Sequence, residues 1–415
     1  MNSALAAVIG LTLSIILIIR KLSPVYSLIL GAVVGGLLSG WGLEMTVSHM
    51  ITGVKDITPA IVRIIAAGIL TGMLVKTGAA TTIAKSIIRA LGERYVFLAL
   101  ALSAMILTCM GVFIDVAVIT IAPIAIITGS RLGLSRTRLL LAMVGGGKCG
   151  NIISPNPNTI IAAENFDAPL SSVMMAGIIP AVIGLIITVF VIVPLIPKGD
   201  MMREETGVKE EENLPALWRS LLGPVVTIVL LALRPICGIV IDPMIALPVG
   251  GVVGIIATGH IKKSTECISY GLEKMSGIAI LLVGTGTLAG IIKASAIKDV
   301  LVGMLSQWSN GGTFMAPISG ALMSAATAST TAGATIASAS FADAIVAAGV
   351  AAIWGAAMIN AGATVLDHLP HGSFFHATGG SVGMNVKERL RLIPYETLVG
   401  IVLAVGSVIT YMILG

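Results

Sequence analysis

Residues Leu139 to Ala163 read LLLAMVGGGKCGNIISPNPNTIIAA, an apolar run long enough to cross a bilayer yet interrupted at its centre by three glycines, a lysine and two prolines. Pro155 and Pro157 remove backbone donors and disfavour helix at the residue before each, so the run reads as a helix broken near the membrane midplane. A second stretch has the same plan: Asn360-Ala361-Gly362, then Asp367-His368-Leu369-Pro370-His371-Gly372-Ser373. Breaks at corresponding places in two halves of a chain are how inverted-repeat secondary transporters build a midplane site.

The flanking sequence supports a membrane setting. Of 415 residues, 56% are apolar and 11% charged, with a mean hydropathy of +1.03; soluble domains carry about a quarter charged residues, so a water-soluble fold is excluded. The fold class expected is an all-α integral membrane protein with two inverted repeats. Ten crossings are expected near 4–19, 24–41, 58–76, 139–163, 172–196, 217–234, 240–259, 275–293, 350–376 and 395–414. The apolar stretches 95–128 and 313–349 are too long for one crossing and short for two, and read as re-entrant hairpins. Arg20, Lys21, Lys85, Arg89, Arg94, Arg131, Arg136, Arg138, Lys198, Arg203, Lys262, Lys263, Lys387, Arg389 and Arg391 then share one side, the cytoplasmic one. Both termini are expected on the outer side of the plasma membrane, with the first apolar run retained as a span. The polar segment 198–216 reads as a cytoplasmic connector between halves 1–197 and 217–415; five crossings in each half force the second to run inverted.

Residues repeat as well. At an offset of 215, Met143 pairs with Met358, Gly147 with Gly362, Pro155 with Pro370, and Asp115 falls opposite Thr330; Leu70-Thr71-Gly72 resembles Leu288-Ala289-Gly290 at a slightly different offset. The net charge of +5 is scattered between apolar runs, which fits orientation in a bilayer and not a nucleic-acid partner. Cys109, Cys149, Cys237 and Cys267 show no CxxC spacing, so neither a disulfide framework nor a zinc site is expected.

A broken helix exposes backbone N–H groups at a positive dipole end, a ready anion site. Beside the breaks, Lys148, Asn151, Ser154, Asn156, Asn158, Thr159, His371 and Ser373 supply charge, amides and hydroxyls for a small organic anion. The hairpin tips, expected over Thr108–Asp115 and Ala326–Gly333, add Ser329, Thr330 and Thr331, which serve a ligand or close helix packing equally well. Asp115, alone among Phe, Ile and Val, costs about 2.5–3.5 kcal/mol at a helix centre, and reads as a proton carrier or coupling-ion ligand, or as a partner for Lys148. Asp367 and His368 form a titratable pair for the coupling ion. No resident cofactor or metal is expected, only a proton or sodium as coupling ion. Gly379-Gly380-Ser381-Val382-Gly383 matches G-x-S-x-G without a preceding strand, and Gly147-Lys148-Cys149 lacks the rest of a phosphate loop. An intramembrane zinc hydrolase using Asp367, His368, His371 and His376, and a channel, remain the other two classes.

These residues resemble the gluconate permease (gluconate:proton symporter) family of the ion transporter superfamily. Val112-Phe113-Ile114-Asp115-Val116 looks like its F-F-[DE]-V-G-F stretch, and Gly150 to Thr159 its T-H-G-F-L-P-P-H-P-G-P segment. Ser329 to Gly333 resembles T-T-A-G, Asp367 to Phe375 resembles S-H-V-N-D-A-G-F-W, and Val386-Lys387-Glu388-Arg389 is similar to V-K-E-T. The resemblance implies proton-driven uptake of a sugar acid or related hydroxycarboxylate, with a sodium-coupled carboxylate or dicarboxylate carrier as the alternative. It implies a homodimer, and a site at Asp115, Ser154, Asn156, Asn158, His368 and Ser373. The family's T-H-G histidine is Cys149 here, beside Lys148, its P-H-P histidine is Asn156, and its N-D pair is replaced around Pro370 and His371. Those departures fall where ligand should bind, so the resemblance fixes the transporter class and not gluconate itself.

Overall fold

The computed structural model describes residues 2–197, 213–297, 299–300, 303, 311–370 and 372–415. Most of the connector and His371 lie outside the described residues, among which every regular element is helical. The first half contains α1 (Ser3–Ile19), α2 (Pro24–Leu38), α3 (Leu43–Lys76), α4 (Ala79–Leu91), α5 (Val96–Cys109), α6 (Ile114–Arg131), α7 (Arg136–Asn151), α8 (Pro157–Asn165) and α9 (Leu170–Leu195). The second contains α10 (Leu217–Cys237), α11 (Pro243–Ala257), α12 (Ser264–Ala294), α13 (Gly311–Thr327), α14 (Thr330–Ala347), α15 (Ala352–Gly362), α16 (Ser373–Ser381), α17 (Val386–Leu390) and α18 (Ile393–Leu414). Among the described residues six helices are long and apolar enough to cross a bilayer, or seven if the bent α4–α5 pair is one span; α1, α2 and α11 are shorter apolar helices.

Element order and spacing recur. α6, α7 and α8 begin at 114, 136 and 157; α14, α15 and α16 begin at 330, 352 and 373. The structural register is therefore 216, one residue longer than sequence matching suggests, because a Met, Gly or Pro match carries no information on which face a residue occupies. In this register, Gly146 packs bare backbone against the Ala101 carbonyl and Gly362 against the Pro317 carbonyl, the same parallel contact made once per half. Between α3 and α12 the spacing is 218, that of Gly72 and Gly290. Gly53 meets Gly286 and Gly68 meets Gly271, while Gly72 meets the Cys267 carbonyl and Gly290 the His49 carbonyl. Each pair advances along one helix and retreats along the other, so these equivalent helices run antiparallel, their backbones in contact because no Cβ intervenes.

Two expected spans lengthen, 58–76 lying within α3 and 275–293 within the 31-residue α12. The span placed at 58–76 is the second half of a 34-residue helix, since Glu44, Lys55 and Asp56 interrupt hydropathy without stopping the helix. The stretches 139–163 and 350–376 are broken as expected, their helices stopped at Asn151 and Gly362 and restarted at Pro157 and Ser373. The hairpin turns fall at 110–113 and 328–329, with Gly111 at φ 98° and Ala328 at φ 46°, a left-handed conformation that glycine adopts without strain.

Candidate functional site

Four helix starts converge on one cavity of about 300 Å3. Phe113, Ile114, Asp115 and Val116 come from the start of α6, Asn158 from α8, Ser329, Thr330 and Thr331 from α14, and Ser373 and Phe374 from α16; Asn151, Asp367, Ala328, Lys274 and Ile278 complete the wall. Five wall pairs are equivalent in the two halves at the 216-residue register: Phe113 with Ser329, Ile114 with Thr330, Asp115 with Thr331, Asn151 with Asp367, and Asn158 with Phe374. The cavity thus lies where the repeats face each other.

Local sequence explains the four starts. Pro157 can open α8 because the first helical turn needs no N–H partner there, and the Asn156 side chain accepts from Thr159 N (3.1 Å). Ser329 caps α14 by accepting from Ala332 N (3.3 Å). Neither α6 nor α16 has a side-chain cap, so their first-turn amides lack that partner. Each start contributes a partial positive charge, and two leave donors for a ligand.

A polar lattice spaces the broken ends. Asn158 Nδ2 donates to Asn360 Oδ1 (3.0 Å) and Thr331 Oγ1 to Asn158 Oδ1 (3.2 Å), tying α8, α15 and α14 together. Asn360 Nδ2 donates to Thr159 Oγ1 (2.9 Å), and Asn156 Nδ2 to Asn151 Oδ1 (2.5 Å). Thr71 Oγ1 donates to the Gly111 carbonyl (3.1 Å), anchoring the first tip to α3.

Behind the wall sits a charge cluster removed from solvent. Lys148 is 0% exposed and Asp367 2%, with Lys148 Nζ 2.7 Å from Asp367 Oδ1. Four partners surround the ammonium: Asp367, the Thr364 carbonyl (2.6 Å), His368 Nδ1 (3.0 Å) and the Glu396 carbonyl (3.3 Å). His368 Nδ1 also lies 3.1 Å from Asp367 Oδ1, and Nε2 faces the Ile393 carbonyl (3.0 Å) and Thr397 Oγ1 (3.1 Å). Arg389 forms a two-pronged pair with Glu396, donating also to Thr378 Oγ1 (3.1 Å) and the Phe375 carbonyl (3.2 Å). Thr330 Oγ1 donates to Asp367 Oδ2 (2.5 Å), connecting this cluster to the cavity through the second tip.

Of the residues read from sequence, Asp115, Asn151, Asn158, Ser329, Thr330, Thr331, Asp367 and Ser373 reach the cavity wall. Lys148, Ser154, Asn156, Thr159 and His368 are buried off it; Ser154 Oγ has no hydrogen-bond partner among the described residues. Lys148 pairs with Asp367, not with Asp115. His371 is outside the described residues, and His376 Nε2 faces the Pro370 carbonyl at 2.9 Å. Sequence reading missed Lys274, which supplies the ammonium on the wall, and the Arg389–Glu396 pair. Glu396 had the same signal as Asp115, a lone carboxylate at the head of an apolar run, whereas Arg389 was read as a topology-setting cation although it is 1% exposed.

Among the described residues, several bilayer-length helices, two broken ones and a cavity lined by charged, amide and hydroxyl side chains between them define the class as a multi-pass membrane transporter. The chain belongs to the GntP family of permeases, whose family model matches residues 3–414. It is 52% identical over 99% of its length to an uncharacterized transporter of Haemophilus influenzae, covering 98% of that protein. It is 23% identical to a gluconate permease of Pseudomonas aeruginosa, over 72% of each chain. It is also 23% identical to the Gnt-II system L-idonate transporter of Escherichia coli, over 74% of this chain and 75% of that one. The crystal structure of the Alcanivorax borkumensis YdaH transporter shares the fold, with a TM-score of 0.64 at 13% identity over 90% of this chain and 88% of that one. The protein is a permease and not an enzyme, which sets aside the hydrolase reading.

Proposed function

We propose that this permease is a secondary active symporter that imports a small organic anion, a sugar acid such as gluconate or a related hydroxycarboxylate, with protons. One observation carries the reading: four helix starts, two without side-chain caps, meet Lys274 and a set of hydroxyls and amides around a cavity of about 300 Å3. Helix starts and an ammonium favour a carboxylate, while Ser329, Thr331, Ser373 and Asn158 suit the hydroxyls of a polyol acid. The gluconate and L-idonate carriers among its relatives support that substrate class. Asp115, half-buried on the wall, is the proposed proton carrier. Asp367 is held by Lys148 and Thr330 and reports occupancy to the buried cluster.

In this proposal the halves 1–197 and 217–415 are inverted repeats joined by a cytoplasmic connector at 198–216. Both termini lie outside the plasma membrane, the protein is a homodimer, and access alternates by movement of the helices around the cavity. The test is thermal stabilisation of purified protein by sugar acids, hydroxycarboxylates and dicarboxylates, at two pH values, with and without sodium. Stabilisation by a hydroxycarboxylate that depends on pH and not on sodium is expected. A shift that requires sodium reassigns the driving ion, and no shift with any acid overturns the substrate class.

A further inference from the structure

Lys274, the ammonium on the cavity wall, has no carboxylate partner among the described residues; the contact it makes is with an aromatic ring. Its Nζ stands 5.5 Å from the ring centroid of Tyr270, one turn earlier on α12, and Lys76 Nζ, at the end of α3, stands 5.0 Å from the same centroid. The two lysines differ in one respect. Lys76 is paired with Glu266 at 3.3 Å, so a carboxylate answers its charge before any ligand arrives, while the charge of Lys274 is unanswered. Tyr270 is half-buried and is not itself on the cavity wall.

The backbone explains why one ring serves both lysines. Glu266, Tyr270, Lys274 and Ile278 recur every fourth residue and form one stripe along α12, whose last two members are on the cavity wall. The antiparallel glycine contact sets α3 against that stripe. Gly68 on the Gly271 carbonyl and Gly72 on the Cys267 carbonyl fix the register, and Lys76, one turn beyond Gly72, then meets Glu266 and Tyr270. A cation over a ring face is attracted by the π electrons and keeps its full charge, whereas a carboxylate partner neutralises it. We propose that Tyr270 is a positioning residue of the anion site, its ring holding the Lys274 ammonium at the cavity wall as an unneutralised charge for the substrate carboxylate. The proposal rests on the reading of this cavity as an organic-anion site. A lysine free to rotate loses side-chain freedom when it binds; the ring contact orders Lys274 before the ligand arrives. Lys76 and Glu266 tie the same ring to α3, so the ammonium is registered to both helices of the glycine contact. The ring face does this, and the phenol hydroxyl is not required.

Two measurements on the purified full chain test it. Without ligand, acylation of Lys274 by an amine-reactive ester, read by peptide mass spectrometry, is expected to run about two- to fivefold faster in Tyr270→Leu than in wild type, and at the wild-type rate in Tyr270→Phe, which keeps the ring. In calorimetric titration with D-gluconate, Tyr270→Leu is expected to raise Kd by about the same factor, Tyr270→Phe to leave Kd unchanged, and Tyr270→Leu to add nothing on a Lys274→Gln background. An unchanged labelling rate in folded Tyr270→Leu overturns the proposal. So does a loss of affinity that persists on the Lys274→Gln background, as general loosening of the helices would give, and so does an equal loss in Tyr270→Phe, which would assign the effect to the hydroxyl. Lys274 labelling in wild type as fast as the exposed Lys262 overturns it with no variant needed. Absence of D-gluconate binding by wild type counts against the substrate reading alone, because the labelling rates still decide whether the ring holds Lys274.

Discussion

Two ionic clusters hold broken helices in this permease, and they differ in their access to water. Lys148, Asp367, His368, Arg389 and Glu396 are at most 2% exposed and each charge has several partners. In the second, Arg63 of α3 reaches Glu164 at the end of α8 and Asp242 (2.7 Å) at the start of α11, with side chains 23–36% exposed. Both hold segments that line the cavity: Asp367 stands on the wall ahead of α16, and Glu164 closes α8, whose start lies there. The buried cluster must stay charge-balanced because removing one partner strands the other away from water. In the exposed cluster, water screens what is left. Burial, and not the number of pairs, separates a structural keystone from an adjustable contact.

That contrast sets a ladder of expected effects. Lys148→Met should destabilise by about 3–5 kcal/mol, by stranding Asp367, with the combined Lys148→Met, Asp367→Leu variant recovering much of the loss; denaturation of purified protein in detergent reads both, and a single variant as stable as wild type would break the comparison. Gly271→Ala puts a methyl group on the Gly68 carbonyl, so a cost of about 1–3 kcal/mol is expected in the same assay. Lys274→Gln should weaken binding of the acid identified above by about tenfold, roughly 1.4 kcal/mol, with little change in unfolding. Calorimetric titration measures it, and an unchanged Kd removes Lys274 from the site. Asp115→Asn should leave the fold intact and abolish pH-driven accumulation in proteoliposomes; full, pH-dependent uptake would end its coupling role. The smallest effect falls to Arg63→Gln, under about 1 kcal/mol and less at high salt, because its pairs are partly in water.

The sequence made much of the site legible for a physical reason. Proline and glycine act locally, so the breaks at 152–156 and 363–372 and the turn at 110–113 could be read without a partner in view. A lone carboxylate in apolar surroundings flagged Asp115 for the same reason, and Asn158 was legible by its place beside the proline break. Lys148 was equally visible as a charge out of place, but whether an ammonium faces a cavity or a carboxylate depends on a residue more than two hundred positions away. Lys274 was hidden by the opposite effect: on a helix carrying Glu266, Glu273 and Lys293 as well, a further lysine reads as interfacial.

By itself, then, the sequence determined the membrane class, the helical content, the places where helices break and the recurrence of those breaks, because each follows from hydropathy or backbone chemistry within a short window. The tertiary structure alone decided the 216-residue register of the repeat, the antiparallel glycine contact of α3 with α12, and the division of charges between cavity wall and buried cluster. Those depend on which side chains meet across the fold, and no local rule contains that information.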